Sequence, residues 1–546
     1  MKTGLPGDRF GGWAAHVVVV LSCIVLSSGA VIGRESDDDE GDDVGKIPLT
    51  VSKAVCGLED HPEIALQGQV PASLRASGFP GFNCNLKLVG QSKGDGANWQ
   101  SAEFKDRKGH TCGYHGTAFT TASRTHVGAP VVDLTDPDHP TPTGYLTSIS
   151  MLDPWESLKV NERRELLGAD NGHNGAGGPE VDIYDLSGDC REPQLLASVA
   201  VGTGTDGGDV AAVIGHEGSW APDGLTYYGG SPVQHIYYAV DMTDPTAPNL
   251  ITTWLTPYGE SNIIARTYTD GGSHGLSISE DGNRGYMVSI GGLSGNASLA
   301  ALTDAAAVPI NGLLIYDLSE IQSRKANPQV KLISSLLWKD GGGAQHTIPI
   351  KIRGKPYIIF ADELGSGGGT SAAQQQAACA AGLPPFPLAR IIDISDETEP
   401  KIVSRLGLEV HDPANCSKVQ PDLVGLGGFT YGSHYCSVDN KDNATTLACG
   451  YFNSGIRIFD IRKPRHVKEI AYFNPAGTTT PSPGSNHAEF QQWRPGGPDW
   501  CNAQVHLDAE RGTVWTTCQD NGLLMLKFER HVWPFEESRT PPGEQN

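Results

Sequence analysis

Val131-Val132-Asp133-Leu134-Thr135-Asp136-Pro137 is a phrase that returns five times along the chain. It recurs as Asp182-Ile183-Tyr184-Asp185-Leu186-Ser187 and as Tyr238-Ala239-Val240-Asp241-Met242-Thr243-Asp244-Pro245. Further copies are Leu314-Ile315-Tyr316-Asp317-Leu318-Ser319, Ile391-Ile392-Asp393-Ile394-Ser395-Asp396 and Ile456-Arg457-Ile458-Phe459-Asp460-Ile461. Leu523-Leu524-Met525-Leu526 is a degenerate seventh copy without the aspartate. Each apolar run reads as a buried strand. The aspartate and the Asp/Ser/Thr-Pro residues behind it cap the strand end and turn the chain.

Working outward, Asp133, Asp185, Asp241, Asp317, Asp393 and Asp460 are spaced more widely than the ~40–50 residues a four-stranded blade needs, so several units carry insertions. Around His274 four strands can be read: 273–279 (a), 284–290 (b), 312–318 (c) and 329–336 (d). The a–b hairpin turns at Glu280-Asp281-Gly282-Asn283. Open solenoid repeats are much shorter. The expected fold is therefore all-β, a single seven-bladed β-propeller of four-stranded antiparallel blades. The last unit runs out near Phe528 after its third strand, and an N-terminal strand at Ile64–Val70 is expected to supply the fourth and close the ring.

Apolar-Asp endings followed by Asp-Pro-x-x-Pro resemble the LVIVD-repeat family of extracellular β-propellers, over roughly Asn83 to Phe528. The resemblance implies the fold and export, and no particular reaction.

Composition agrees with short strands and turns: 68 glycines and 36 prolines in 546 residues. The net charge of −23 argues against nucleic acid or anionic membranes as partners. Residues 1–30 read as a signal peptide: Lys2 and Arg9, an apolar Ala14–Leu26 and small Ser28-Gly29-Ala30. A lipoprotein box ending at Cys23 and retention as an N-terminal anchor are the alternatives. Residues 31–63, with the acidic run Glu35–Asp43, read as a flexible spacer. Residues 64–533 are expected to form the propeller and 534–546 a tail. The expected location is secreted, periplasmic or at the cell surface. Without Cys23 ten cysteines remain, an even number suited to disulfides. Hairpin register pairs Cys501 with Cys518 and Cys436 with Cys449.

Histidine carries the functional signal. His216, His274 and His346 each stand eight residues before a turn glycine (Gly224, Gly282, Gly354), at one position of strand a. His434 sits comparably before the Asn440–Asn443 turn, and His506 lies on the same face of the last unit. Strand a is innermost, so these imidazoles are expected at one mouth of the central channel. The b–c insertions Gly291–Pro309 and Gly365–Pro387 should flank that mouth. Two functions follow. One is a ligand- or partner-binding propeller, taking a small molecule, glycan or extracellular protein on this loop-rich face. The other is a metal-dependent oxidoreductase or hydrolase holding copper, zinc or iron on His216, His274, His346, His434 and His506. Glu217, Asp362 and Glu363 are then the expected catalytic acids, with Asp170 nearby. His115 and His173 are weaker members of the group. For any one of these histidines alone, a hydrogen bond at a blade junction explains it as well. No nucleophile elbow or phosphate loop occurs.

Overall fold

The computed structural model describes residues 47–529 and 532, except 77, 120–123, 171–179, 203–211, 259–269, 293–301, 305–306, 424–425, 427 and 490–495. The expected signal peptide, the acidic run Glu35–Asp43 and the C-terminal tail lie outside the described residues, as do His173 and much of the insertion Gly291–Pro309.

The recurring phrase forms the third strand of each sheet: Ala129–Asp133, Val181–Asp185, Ile236–Asp241, Gly312–Asp317, Ala389–Asp393 and Ile456–Asp460. Every residue in these strands is buried until the terminal aspartate. That carboxylate then accepts the N–H two residues on, from Thr135, Ser187, Thr243, Ser319, Ser395 and Arg462 at 2.8–3.0 Å. This Asx turn is the physical content of the repeat: an apolar strand ended by a local hydrogen bond.

Seven antiparallel sheets result, each pairing in the order a-b-c-d, and they make a seven-bladed β-propeller. The a strands begin at Ser101, Lys159, Glu217, Leu276, Gly342, Cys436 and His506 for blades one to seven. Neighbouring blades are stitched by buried tyrosines that donate to main-chain carbonyls. Tyr114 reaches Cys190 (2.7 Å), Tyr227 reaches Ser157 (2.6 Å), Tyr237 reaches Val288 (2.6 Å) and Tyr451 reaches Leu406 (2.6 Å).

The ring closes with an N-terminal strand, but a different one from that expected. Leu86–Ser92 pairs antiparallel with Gly522–Phe528 as strand d of blade seven. Residues 64–70 form turns instead: Glu63 accepts the Gly68 N–H and pairs with buried Arg457, and Gly68 is left-handed (φ 85°) against Leu408. The strand 86–92 is hard to read because a bulge between Leu88 and Gly90 breaks its alternation. Phe82–Cys84 adds a fifth strand outside blade six. The spacer also ends earlier than its expected limit at residue 63. From residue 47 the chain lies on blades five and six, through Val51 N–H to Gly407 (2.9 Å) and bridges at Thr50 and Ser52.

Both register-derived disulfides are present, Cys436–Cys449 and Cys501–Cys518, and Cys56–Cys84, Cys112–Cys190 and Cys379–Cys416 complete five. Among the described residues no helix is long and apolar enough to cross a membrane. Five disulfides suit an oxidising compartment.

Candidate metal centre at the channel mouth

Strand a enters each blade at the channel, and the residues that begin it face their counterparts across the ring. Three of the five expected histidines converge there, on a carboxylate that the sequence reading did not single out. Glu156, from blade two, brings Oε2 to 3.2 Å from His216 Nε2 and 3.4 Å from His274 Nε2. Its Oε1 lies 3.0 Å from His434 Nε2. Glu363, at the end of strand b of blade five, completes the group at 3.5 Å from His434 Nε2 and 4.0 Å from His274 Nε2. Five blades thus contribute one side chain each. All five are buried or nearly so; the most exposed, His216, keeps 17% of its side-chain surface.

The second ring nitrogens of two histidines are already committed. His274 Nδ1 donates to the Gln345 carbonyl (3.2 Å) and His434 Nδ1 to that of Asn502 (2.9 Å), each from the next blade. Those bonds make Nδ1 the donor and turn Nε2 of each ring toward the carboxylates. His434 Nε2 and Glu156 Oε2 are buried and make no hydrogen bond of good geometry despite their close contacts. Charge in the cluster is strongly coupled. Burial raises Glu156, but the charge of His274 and the contacts of His216 and His434 outweigh it and hold its carboxyl well below the usual range. Burial opposes the charge on His434, yet Glu156 and Glu363 push it up to about 9. His274 is lowered, by burial and by neighbouring His216.

The other predicted residues stand elsewhere. His346 is displaced by a bulge between Ala344 and His346, which gives its place in the ring to Gln345. Its Nε2 accepts the Cys436 N–H (3.2 Å) and its ring stacks on Tyr435 (4.6 Å). His506 lies farther along strand a of blade seven, on Ser101 Oγ (3.1 Å) and stacked on Trp515 (4.2 Å); Asn502 holds the register position. Asp362 alternates with Glu363 along its strand and so points to the other face. There it takes hydrogen bonds from Asn311 (2.8 Å) and Trp338 (3.0 Å) and pairs with buried Arg390, a structural role. Glu217 faces the next layer of the channel. Lys159 pairs with it at 3.1 Å and lies over the Tyr435 ring at 4.8 Å, a contact from blade two to blade six that crosses the channel. Burial raises the Glu217 carboxyl well above its usual range, Lys159 opposing. Asp170 accepts from Tyr238, and His115 donates to the Gly116 carbonyl (3.2 Å), both outside the cluster.

Glu156 escaped notice because blade two has no glycine at its a–b turn. Glu165 takes the left-handed position instead (φ 54°). Counting eight residues back from Glu165, as from the turn glycines of other blades, lands on Ser157, one residue past Glu156.

Above the cluster sits an aromatic group. Trp99 lies 5.3 Å from His434, 5.4 Å from Trp155, 5.5 Å from Phe429, and 6.1 Å from both Phe452 and Trp500. The insertion Gly365–Pro387 reaches the same mouth: its helix Ala372–Ala380 holds Thr430 through Gln375 (3.1 Å).

The molecule is thus a seven-bladed β-propeller with a histidine–glutamate cluster in its channel. No family model matches the chain, so the LVIVD-repeat resemblance stays a resemblance. No curated protein matches it either. Among solved structures, a protein of Bacteroides uniformis described as a putative 6-phosphogluconolactonase aligns at 12% identity with TM-score 0.47, covering 77% of this chain and 92% of that one. Hydrazine synthase of Kuenenia stuttgartiensis aligns at 12% and TM-score 0.44, over 80% and 96%. The Cps50 (Swd1) propeller domain of Myceliophteria thermophila aligns at 10% and TM-score 0.45, over 81% and 99%. These likenesses carry no function to this chain.

Proposed function

We propose that the channel mouth is a divalent transition-metal site built on two triads that share Glu156, one with His216 and His274 and the other with His434 and Glu363. The observation that carries this reading is the spacing of the donor atoms. Bonds of 2.0–2.2 Å at angles of 90–110° place donors about 2.8–3.6 Å apart. Four of the five donor contacts are 3.0, 3.2, 3.4 and 3.5 Å. Hydrogen bonds hold two imidazoles by Nδ1, and two buried donor atoms lack hydrogen-bond partners of their own. Mixed imidazole and carboxylate donors without thiolate suit zinc, iron(II) or copper(II). A metal there supplies Lewis-acid or redox chemistry to a small ligand. The chain's own contribution is to fix the donors from five separate blades and to cover one side with aromatic rings. Lys159 lies in the adjoining layer of the channel. The exported protein would then be a metal-dependent oxidoreductase or hydrolase. A purely ligand-binding propeller is the second reading, favoured by the insertion at the same mouth.

The test is metal analysis of protein purified without a histidine tag. Near-stoichiometric metal that survives dialysis is expected, and is expected to vanish in His274→Ala/His434→Ala while the fold, read by circular dichroism, persists. Metal content unchanged by that double substitution would refute the site.

A further inference from the structure

One donor of the cluster has a competitor. The indole Nε1–H of Trp155 donates to His216 Nε2 at 3.1 Å, the same nitrogen that faces Glu156 Oε2. An imidazole nitrogen has one lone pair, and it serves either an indole N–H or a metal ion. His216 therefore differs from His274 and His434, whose Nε2 atoms face only carboxylates.

The backbone at Trp155 is unusual too. Its φ is 50°, left-handed, in a residue with a bulky side chain. Such a conformation is unfavourable and persists where the surroundings impose it. Here they do. Glu156, the next residue, is tied to blade three by its N–H to the His216 carbonyl (3.1 Å), and the Trp155 ring packs on Trp99. The strain sets the indole on His216 and the Glu156 carboxylate beside it, from consecutive residues.

Resting on the metal-site reading above, we infer that Trp155 regulates the site as a removable cap: its indole holds the His216 lone pair, and a metal ion recruits His216 only by displacing that N–H. Glu156 and His274 would hold the ion first, and His216, the third member of their triad, would close on it afterwards. Loading is thereby coupled to movement of a buried tryptophan that touches Trp99, which itself lies against His434.

The experiment is a Zn²⁺ titration of the full chain, followed by calorimetry for affinity and by tryptophan emission for the cap. Ten tryptophans contribute to the emission, so Trp155 is read by difference. Wild-type protein is expected to bind Zn²⁺ with a change in emission. Trp155→Phe keeps a ring and removes the N–H, so it is expected to bind roughly two- to tenfold more tightly, the equivalent of one net hydrogen bond, and to lose most of the emission change. His216→Ala does not depend on how Trp155→Phe packs. It is expected to bind Zn²⁺ still, more weakly, with no emission change. Equal affinity and equal emission change in Trp155→Phe, or an emission change retained in His216→Ala, would overturn the cap alone. No Zn²⁺ binding by the wild type would overturn the metal site and the cap with it.

Discussion

Asp362 and Glu363 are adjacent and acidic, the first buried and the second nearly so, and their consequences on substitution should be opposite. Asp362 lies among Arg390, Trp338 and Asn311, all away from the channel cluster. Burial raises its carboxyl to about 6 against the pull of Arg390. Removing it leaves a fully buried guanidinium with only Asp340 as a charge partner (3.0 Å). Breaking a buried pair from one side costs about 3–5 kcal/mol. Asp362→Ala is therefore expected to lower the melting temperature by several degrees and leave metal content per folded molecule unchanged. Glu363→Gln should do the reverse: an unchanged melting curve for the metal-free protein with weaker metal retention. Equal thermal losses in both variants would remove the distinction drawn here between the two faces of the strand.

At the scale of elements, the disulfides divide into two kinds. Cys436–Cys449 crosses a hairpin whose strands are already paired, and Cys501–Cys518 ties the end of strand b of blade seven to the segment just before its strand a. Cys379–Cys416 joins the helix of the Gly365–Pro387 insertion to the short helix Cys416–Val419 beyond blade five, two pieces that share no sheet. Cys379→Ser/Cys416→Ser should therefore expose the insertion to limited proteolysis, with cleavage mapped by mass spectrometry within 365–387. Cys436→Ser/Cys449→Ser should leave its hairpin uncut, and cleavage there would contradict this ranking. The same division explains what was legible in the sequence. Cys436 and Cys449 could be paired because turn length sets register, whereas Cys501–Cys518 forms although Leu507 pairs with Val514 and not with Gly512. Strand c could be read because an apolar run with an Asx turn is wholly local. Cys379–Cys416, the closing strand 86–92 and the placement of His346 depend on contacts between distant segments or on bulges, and neither leaves a periodic mark. Three of five histidines meet because strand register holds in blades three, four and six. Blade five breaks it with a bulge and blade seven with asparagine, while blade two hides Glu156 behind a turn without glycine.

For the whole molecule the ring closes inside blade seven, where the N-terminal strand joins the C-terminal ones, and the seam is where that blade packs on blade one. The closing strand packs there: Gly90 sits so near the Pro137 carbonyl that a Cβ would approach it to 2.2 Å. Across the inner part of the seam, Trp515 of blade seven donates its indole N–H to Glu103 of blade one. Burial raises the Glu103 carboxyl to about 7; Trp515 opposes the shift, and Asp508 and Glu162 add to it. The sign follows from linkage. A carboxyl whose folded pKa lies above its unfolded value favours the fold in its protonated form. That contribution is fully present below about pH 4.5 and is lost as pH rises through about 7. The loss amounts to roughly 2–3 kcal/mol at most, from 1.36 kcal/mol per unit with allowance for partial solvent access. Glu103→Gln keeps an acceptor for Trp515 and cannot ionise. Its unfolding free energy should match that of the wild type near pH 4.5 and exceed it by about 2 kcal/mol at pH 8. Denaturant titrations at the two pH values measure the difference. A variant no more stable than wild type at pH 8 would show that the seam does not carry a penalty for ionised Glu103.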